Sequence, residues 1–432
     1  MRRLVLGALA LAGCHVKVVA YGEVDPEAVE SIVREVSRVR RLRVLRPIRV
    51  ALQPVSELRS QVERDLRTEV ESGDLARRQR ALAKLGLIDW DDDIEAFYRR
   101  AYSSEPAGYY VTEDRRLYVV ARDAFRSDVG EVVGAITGRD PSTGETLAHE
   151  VGHALVHQHV DLEALVDGAA DGDARMARRA LGEGDATRVG FLYVGGRSFA
   201  AYLRRMERIL AARDEEEREP GWLVDELRFP YLEGGRFVEH LFRRGGWAAV
   251  DAAYRRPPAS TEQILHPERY PGDRPATLEV RDSVGPGGGS RRIFDDVLGE
   301  RGVRELVRRF LGADRARRVA AGWDGDRAVV WEREGRLSLV WSMAWDRPED
   351  ARELAGAYRS IVERGYRTRS ILRETPGEVE WSTPEGPVGI ALGGSRVVVY
   401  EGFRPGTTGS SIFSALGTEG RDTGLRESNE VP

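Results

Sequence analysis

Hydrophobic residues recur along the chain at two spacings, which predict helices in some segments and strands in others. Between Asp25 and Arg40, apolar residues return every third or fourth position, as on the buried face of an amphipathic helix, and Pro26 suits a first helical turn. Similar patterns predict helices over 56–85, 144–160, 173–190, 199–217, 235–242, 247–254, 293–311 and 348–365. Runs rich in β-branched and aromatic residues predict a strand over 42–52 and hairpins over 109–122, 327–345 and 388–400.

The order of these elements predicts an α+β protein with a larger and a smaller domain. Residues 20–282 hold most of the helices, and the glycine-rich segment 283–291 predicts a linker. The β-β-α-β-β order that follows predicts an accessory α+β domain over 292–405. The tail 406–432 is rich in Gly, Ser, Thr and Glu, a composition typical of disorder.

Composition and charge narrow the class of protein. The 432 residues include 41% hydrophobic and 32% charged side chains, which is typical of a soluble globular protein with two or three domains. A net charge of −5 gives no reason to expect a nucleic-acid partner. The single cysteine excludes disulfide bonds within the chain.

The first fourteen residues, MRRLVLGALALAGC, predict a secretory signal. Two arginines precede an apolar run that is too short to span a bilayer, and small residues follow it. Leu11-Ala12-Gly13-Cys14 resembles the bacterial lipobox, in which the cysteine is acylated and becomes the first residue after cleavage. The resemblance implies an extracytoplasmic protein attached to a membrane by lipid on Cys14, and His15 favours the outer membrane. The alternatives are an ordinary signal peptide and a buried first strand.

One motif carries metal chemistry. His149-Glu150-Val151-Gly152-His153 follows the H-E-x-x-H pattern inside the predicted helix 144–160. Residues four apart lie one turn apart on a helix, so both imidazoles face one side and offer two nitrogen ligands to zinc. Glu150 is placed to take a proton from a zinc-bound water. Four of the seven histidines lie between His149 and His159, which is unusual for scattered structural histidines.

A catalytic zinc site needs a third protein ligand, and the sequence offers two candidates. His159 has the metzincin spacing, but Val156 stands where that pattern has a chain-turning glycine, inside a continuous predicted helix. Glu183 is a carboxylate thirty residues beyond His153, on the following predicted helix. We favour Glu183 as the third ligand. The alternative is a solvated helix carboxylate.

At this point the sequence resembles a known family. HEVGHAL followed by EGDAT resembles a group of bacterial lipoprotein-type gluzincin metallopeptidases, and the likeness continues through FPYLEGGRFV and PPASTEQILHPERY, over residues 108–270. The resemblance implies a zincin-like metallopeptidase domain over 20–282, with a small mixed sheet, an active-site helix and a helical subdomain. It also implies zinc held by His149, His153 and Glu183, Glu150 as general base and proton shuttle, and a peptide or protein as substrate.

Peptide hydrolysis also needs a donor for the oxyanion of the tetrahedral intermediate. Gluzincins supply it from a Tyr or His on a later segment. Tyr231 and His266 lie in segments that resemble the family and are the candidate catalytic donors, whereas Tyr193 and His240 are weaker candidates. For each of them, packing or capping is the alternative role.

Several residues near the motif are expected to have supporting roles. Asp161 and Asp185 are candidates to orient the imidazoles, with a helix cap or a surface carboxylate as the alternative. His157 is expected to be an imidazolium at the helix C-terminus, and His159 to line the cleft. The hairpin 109–122 is expected to place an edge strand beside the cleft, where an extended substrate can pair with it.

These observations predict zinc-dependent peptide-bond hydrolysis by a lipid-anchored extracytoplasmic protein. The alternative is a catalytically inactive zincin-fold lipoprotein that binds zinc or a protein partner in the cell envelope. In a third interpretation the H-E-x-x-H pattern is a coincidence and no metal binds. Peptide hydrolysis separates the first two interpretations, and metal content tests the third.

Overall fold

A computed structural model describes residues 19–20, 23–102, 108–121, 141–217, 219–404 and 406–416. The helices are α1 (Pro26–Arg40), α2 (Val55–Glu71), α3 (Asp74–Lys84), α4 (Ile94–Tyr102), α5 (Pro141–His157), α6 (Leu162–Asp167), α7 (Gly172–Tyr193), α8 (Phe199–Glu217), α9 (Gly221–Arg255), α10 (Thr261–Leu265), α11 (Gly299–Leu311), α12 (Ala313–Ala320), α13 (Pro348–Gly365) and α14 (Gly409–Leu416). The strands are β1 (Val19–Ala20), β2 (Glu23–Val24), β3 (Arg49–Pro54), β4 (Gly108–Val111), β5 (Arg116–Ala121), β6 (Arg291–Asp296), β7 (Trp323–Arg333), β8 (Arg336–Trp345), β9 (Ser370–Thr375), β10 (Glu378–Thr383), β11 (Gly386–Gly393) and β12 (Arg396–Glu401). The described residues therefore form an α+β fold with a two-stranded, a three-stranded and a seven-stranded sheet.

The chain divides into two compact units that alternate along the sequence. Unit 1 contains residues 1–61, 103–162 and 186–199, and unit 2 contains 62–102, 163–185 and 200–432. Helix α7 is continuous across this division, with residues up to Asp185 in unit 2 and residues from Ala186 onward in unit 1. Among the described helices, none is long and apolar enough to cross a membrane.

Unit 1 is built on a three-stranded sheet in the order β3-β5-β4. Strand β3 runs parallel to β5, and β4 pairs antiparallel with β5 across the turn 112–115, which confirms the predicted hairpin. Helix α5 lies close to β4 because Gly108 has no side chain. A Cβ there would be 2.8 Å from Leu147 Cδ2. The sheet thus fixes the position of the helix that carries the H-E-x-x-H motif.

Unit 2 contains a seven-stranded antiparallel sheet in the order β6-β7-β8-β12-β11-β10-β9. Its core includes the large side chains Trp323, Trp341 and Trp381, each at most 1% exposed. Apolar residues between 66 and 98, from helices α2 to α4, belong to the same core. Core residues of unit 2 therefore come from both sides of the predicted linker at 283–291.

The structure differs from the predicted elements of the C-terminal part at two places. Residues 293–311 were predicted to form one helix. In the structure, residues 291–296 form strand β6, and helix α11 begins only at Gly299. Strands β9 and β10 were also not predicted. Most of β9 is exposed, so it lacks the alternation of apolar and polar residues that marks a half-buried strand.

The predicted N-terminal signal lies outside the described residues, and the predicted tail lies partly outside them. Residues 1–14, with Cys14, lie outside them, as do residues 417–432. Within the tail that was predicted to be disordered, residues 409–416 form α14, and its Ile412 and Leu416 are buried. Their apolar side chains at helical spacing explain the difference.

Candidate metal centre

Helix α5 carries the H-E-x-x-H motif and is buried along one side. Leu147, Val151 and Leu155 are each at most 1% exposed and recur every four residues, so one face of the helix packs into the core. Val156 is also buried, and the helix continues through it to His157. The prediction that Val156 lies within a continuous helix is confirmed.

The two histidines of the motif face the same side of α5. Their Nε2 atoms lie 3.1 Å apart, and the ring centroids are 4.7 Å apart with the ring planes at 78°. Two imidazole nitrogens that bind one tetrahedral zinc ion are about 3.4 Å apart. His149 and His153 are therefore arranged as a pair of ligands for one ion.

Helix α7 approaches α5 closely in unit 1 because glycines lie at the contact. A Cβ on Gly152 would be 3.4 Å from Val189 Cγ1. A Cβ on Gly190 would be 3.0 Å from the backbone oxygen of Glu145 and 3.7 Å from His149 Cβ. The two glycines therefore allow the helices to pack with almost no side chain between them.

Glu183 joins the two histidines. It precedes Gly190 by seven residues, which is two helical turns, and so lies on the same side of α7. One oxygen of Glu183 and one ring nitrogen of each of His149 and His153 lie within 4.8 Å of one another. These three partly exposed side chains could hold a metal ion. Among the described residues, no other group of His, Cys, Asp and Glu side chains is arranged in this way.

Glu150 is oriented by strand β4. The backbone N–H of Tyr110 donates a hydrogen bond to Glu150 Oε2 at 2.9 Å. Strand β4 pairs with β5 on one side only, and among the described strands it lies at an edge of the sheet. This position agrees with the predicted edge strand. The Tyr110 N–H therefore points away from β5 and fixes the carboxylate on the side of α5 that faces this edge.

His157 and His159 do not take part in the group around Glu183. Burial lowers the pKa of His157, whose Nδ1 lies 3.1 Å from the Tyr110 hydroxyl, and this shift disfavours the predicted imidazolium. His159 Nε2 lies 2.8 Å from the backbone oxygen of Arg43. This contact holds the ring against the loop before β3, and it explains why the metzincin spacing of His159 produces no third ligand.

The two aspartates expected to orient the imidazoles have identified partners. Asp185 is 1% exposed and accepts a hydrogen bond of 3.0 Å from the Tyr254 hydroxyl on α9. Asp161 Oδ1 lies 3.9 Å from His157 Nε2. These contacts link Asp185 to α9 and Asp161 to the end of α5. An orienting role toward the metal ligands stays a prediction for both.

The predicted oxyanion donors lie on α9 and at the end of α10. Tyr231 is 39% exposed and follows Pro230, which lies inside helix α9. His266 follows α10, and its Nε2 lies 2.9 Å from Glu300 Oε1. The hydrogen bond to Glu300 raises the pKa of His266. His266 thus has a structural partner, and the catalytic role of both residues stays a prediction.

Sequence reasoning missed two residues that shape the centre. Tyr110 acts through its backbone N–H, which leaves no signature in the sequence. Gly190 allows the approach of α7 to α5, and a glycine inside a strong helical pattern is a signal of such close packing. Gly152, inside the H-E-x-x-H motif, also serves the contact with α7.

Comparison with known proteins gives one match. A family model described as a domain of unknown function (DUF8575) matches residues 289–410, the part of the chain that contains β6 to β12. No curated protein and no solved structure matches the chain. The matched family therefore covers the large sheet of unit 2 and none of His149, His153 and Glu183.

Proposed function

We propose that the protein is a zinc-dependent peptidase, lipid-anchored and extracytoplasmic. The observation that carries the proposal is the convergence of His149, His153 and Glu183 on one point, with Glu150 next to the first ligand on the same helix. Two histidines and a glutamate form a ligand set of catalytic zinc sites, which keep a fourth position for water or substrate.

The residues present fit zinc in type and spacing. The His149 and His153 nitrogens are 3.1 Å apart, close to the ~3.4 Å expected for two ligands of one tetrahedral ion. Imidazole and carboxylate ligands suit zinc, and the partial exposure of all three side chains leaves a path to solvent. When bound, zinc lowers the pKa of a coordinated water and polarises a carbonyl group.

Glu150 is the proposed general base. Its carboxylate accepts the proton of the attacking water and returns it to the leaving amine. The Tyr110 N–H donates to Oε2 of this carboxylate, so the carboxylate is held on the side of α5 that faces β4. Strand β4 lies at an edge of the sheet as described, and its edge-facing backbone groups other than the Tyr110 N–H can pair with an extended peptide, which supports such a substrate.

The proposed membrane attachment rests on the sequence around Cys14. The lipobox-like Leu-Ala-Gly-Cys places the cysteine of the chain where acylation requires it. The catalytic part of the proposal does not depend on this attachment, since all four residues of the centre lie beyond residue 140.

Glu150→Gln tests the proposed function. The amide keeps the size of the side chain and its contact with the Tyr110 N–H, but it cannot accept a proton. We expect the purified variant to retain one zinc per chain and to lose hydrolysis of a mixed peptide library by at least ~100-fold. A variant that cleaves the library at the wild-type rate would overturn the mechanism. If the wild-type protein binds zinc but cleaves none of the library, the result favours the alternative, a non-catalytic zinc-binding lipoprotein.

A further inference from the structure

A basic and apolar loop lies between α1 and β3, and we call residues 41–49 the basic loop. It contains four arginines, all exposed, at positions Arg41, Arg43, Arg46 and Arg49. In the described part of the chain, none of these four side chains has an ion-pair partner. The sequence has no Asp or Glu from residue 36 to residue 56, so the positive charge is not balanced within the segment.

Two apolar side chains stand between the arginines. Val44 is 40% exposed and Leu45 is 52% exposed, although large aliphatic side chains are usually buried. Exposed aliphatic residues interleaved with arginines are typical of segments that enter the headgroup region of a membrane, where the apolar groups leave water and the guanidinium groups meet phosphates.

The backbone of the basic loop is held in place. Gln158 Oε1 accepts hydrogen bonds from the N–H groups of Leu45 (2.7 Å) and Arg46 (2.9 Å), and Gln158 Nε2 donates to the Arg46 oxygen at 2.9 Å. His159 Nε2 lies 2.8 Å from the Arg43 oxygen. These contacts use only backbone atoms of the basic loop, so its arginine, valine and leucine side chains are not needed to hold it in place.

An apolar groove adjoins the loop. It has a volume of about 650 Å³ and is lined by α1 and by the loop itself, with Val29 and Val33 on one wall and Val44 and Ile48 on the other. Its charged lining residues are the Glu30–Arg34 pair, at 3.5 Å, and Arg46. The exposed Val44 and Leu45 are thus next to other apolar side chains, and the groove that these residues line can receive a lipid chain.

We propose that the basic loop and this groove bind the surface of an anionic phospholipid membrane. Four unpaired guanidinium groups are complementary to lipid phosphates, and the aliphatic side chains between them favour a lipid over a fully polar polyanion. Around His157, Arg46 and Arg115 are matched by Asp161 and Glu113, so the excess positive charge of this face comes from Arg41, Arg43 and Arg49.

The loop complements the proposed lipid on Cys14 but does not require it. A single weak anchor gives only reversible attachment, and a basic patch is a common second signal. Val24, which lines the groove, is ten residues after Cys14, so an extended chain allows at most about 35 Å between them. The face that binds lipid and the predicted anchor are thus within reach of the same membrane.

The test uses the full chain with Cys14→Ser, so that no acyl chain contributes. Sedimentation measures binding to vesicles of phosphatidylcholine alone and of phosphatidylcholine with phosphatidylglycerol in equal parts. In this background Arg43→Glu/Arg46→Glu is compared with Arg204→Glu/Arg205→Glu, which changes the net charge equally at exposed positions on α8. Val44→Ser/Leu45→Ser is compared with Ile209→Ser, another exposed aliphatic position.

We expect the parent protein to prefer the phosphatidylglycerol vesicles and to lose binding as salt rises. Arg43→Glu/Arg46→Glu should weaken binding by ~25-fold or more, about fivefold for each arginine removed. Val44→Ser/Leu45→Ser should weaken it several-fold, and both α8 variants should bind like the parent.

Equal binding of the parent to the two kinds of vesicle would overturn the proposal, as would equal binding of the loop and α8 variants. Binding of the parent to duplex DNA without preference for anionic vesicles would also overturn it and assign the loop to polyanions. None of these outcomes depends on peptide hydrolysis, so the lipid-binding face and the proposed peptidase activity can fail separately.

Discussion

Two regions of the molecule contain the same kinds of residue and use them differently. In the metal centre, His149, His153 and Glu183 are partly exposed and converge on one another. In the segment that contains α10, residues 260–263 are each at most 1% exposed, and His266 lies against Glu300. Both regions contain histidines that the sequence predicted for an active site.

The difference lies in burial and in the partners of each side chain. Asp173, buried in unit 2, accepts hydrogen bonds from the N–H and hydroxyl groups of Thr261. Glu300 is 3% exposed and has His266 on one oxygen. These buried groups bind to one another within unit 2, whereas His149, His153 and Glu183 are partly exposed and have ligand atoms within 4.8 Å of one another. A histidine in a sequence therefore does not indicate catalysis until the partners of its side chain are known.

The largest expected effect is a loss of zinc affinity that occurs in variants of the metal centre and not in variants of the segment that contains α10. His153→Ala removes one of three ligands, and we expect it to lower zinc affinity well beyond the ~10–100-fold that loss of an outer partner costs. His266→Ala should leave zinc affinity unchanged. Zinc titration of both variants against a competing chelator measures the difference. An equal loss of zinc affinity in His153→Ala and His266→Ala would show that His266 belongs to the metal centre. It would contradict the difference drawn between the two regions.

The next effect concerns the support behind Glu183. A Cβ on Gly184 would lie 2.2 Å from the backbone oxygen of Gly234 on α9, so Gly184→Ala should lower the free energy of unfolding by ~3 kcal/mol through overpacking. Gly182→Ala is the matched control on the same helix, because no atom lies within 4 Å of its added Cβ. The control should be neutral or stabilise by up to ~1 kcal/mol. Urea unfolding measures both, and similar losses would show that α7 does not need this close approach.

A smaller effect is expected from the His266–Glu300 contact. His266→Ala leaves a buried carboxylate without its partner, and this should lower the free energy of unfolding by ~2 kcal/mol. His266→Gln keeps a donor and should lose less. Unfolding of the zinc-free proteins isolates this effect from metal binding. An unchanged stability of His266→Ala would remove the structural role and return His266 to the candidates for catalysis.

A separate effect, measured by its dependence on pH, is expected from Asp173. Burial raises the pKa of Asp173 to about 8 from the ordinary 3.8. The folded state then holds a proton that the unfolded state has released, so the free energy of unfolding falls as pH rises from about 4 to about 8. Asp173→Asn should flatten this part of the stability curve. An identical pH dependence in the wild type and the variant would contradict the assignment.

The sequence predicted much of this arrangement because its local patterns are strong. The amphipathic spacing predicted α1, α8 and α13 closely, and the β-prone runs predicted the hairpin of β4 and β5. The H-E-x-x-H spacing placed His149 and His153 together because helix geometry alone decides it. Glu183 was predicted as the third ligand, and the structure brings it to the two histidines.

What the sequence did not predict depends on contacts between distant residues. Residues 62–102 share a core with the sheet of unit 2, and no local pattern marks this pairing. Strand β6 was predicted as helix, since its Ile293 and Phe294 fit either period. The Tyr110 N–H that orients Glu150 is a backbone group, and the Arg43 oxygen that holds His159 is another. Such contacts appear only when the chain is folded.

The most direct test of the metal centre is the X-ray absorption spectrum of the zinc-loaded full chain. We predict zinc with two imidazole nitrogens at about 2.0–2.1 Å and the remaining ligands oxygen, and a spectrum that changes in Glu183→Ala but not in His159→Ala. A spectrum with three or more imidazoles, or one that is insensitive to Glu183, would contradict the assignment of His149, His153 and Glu183 as the ligands.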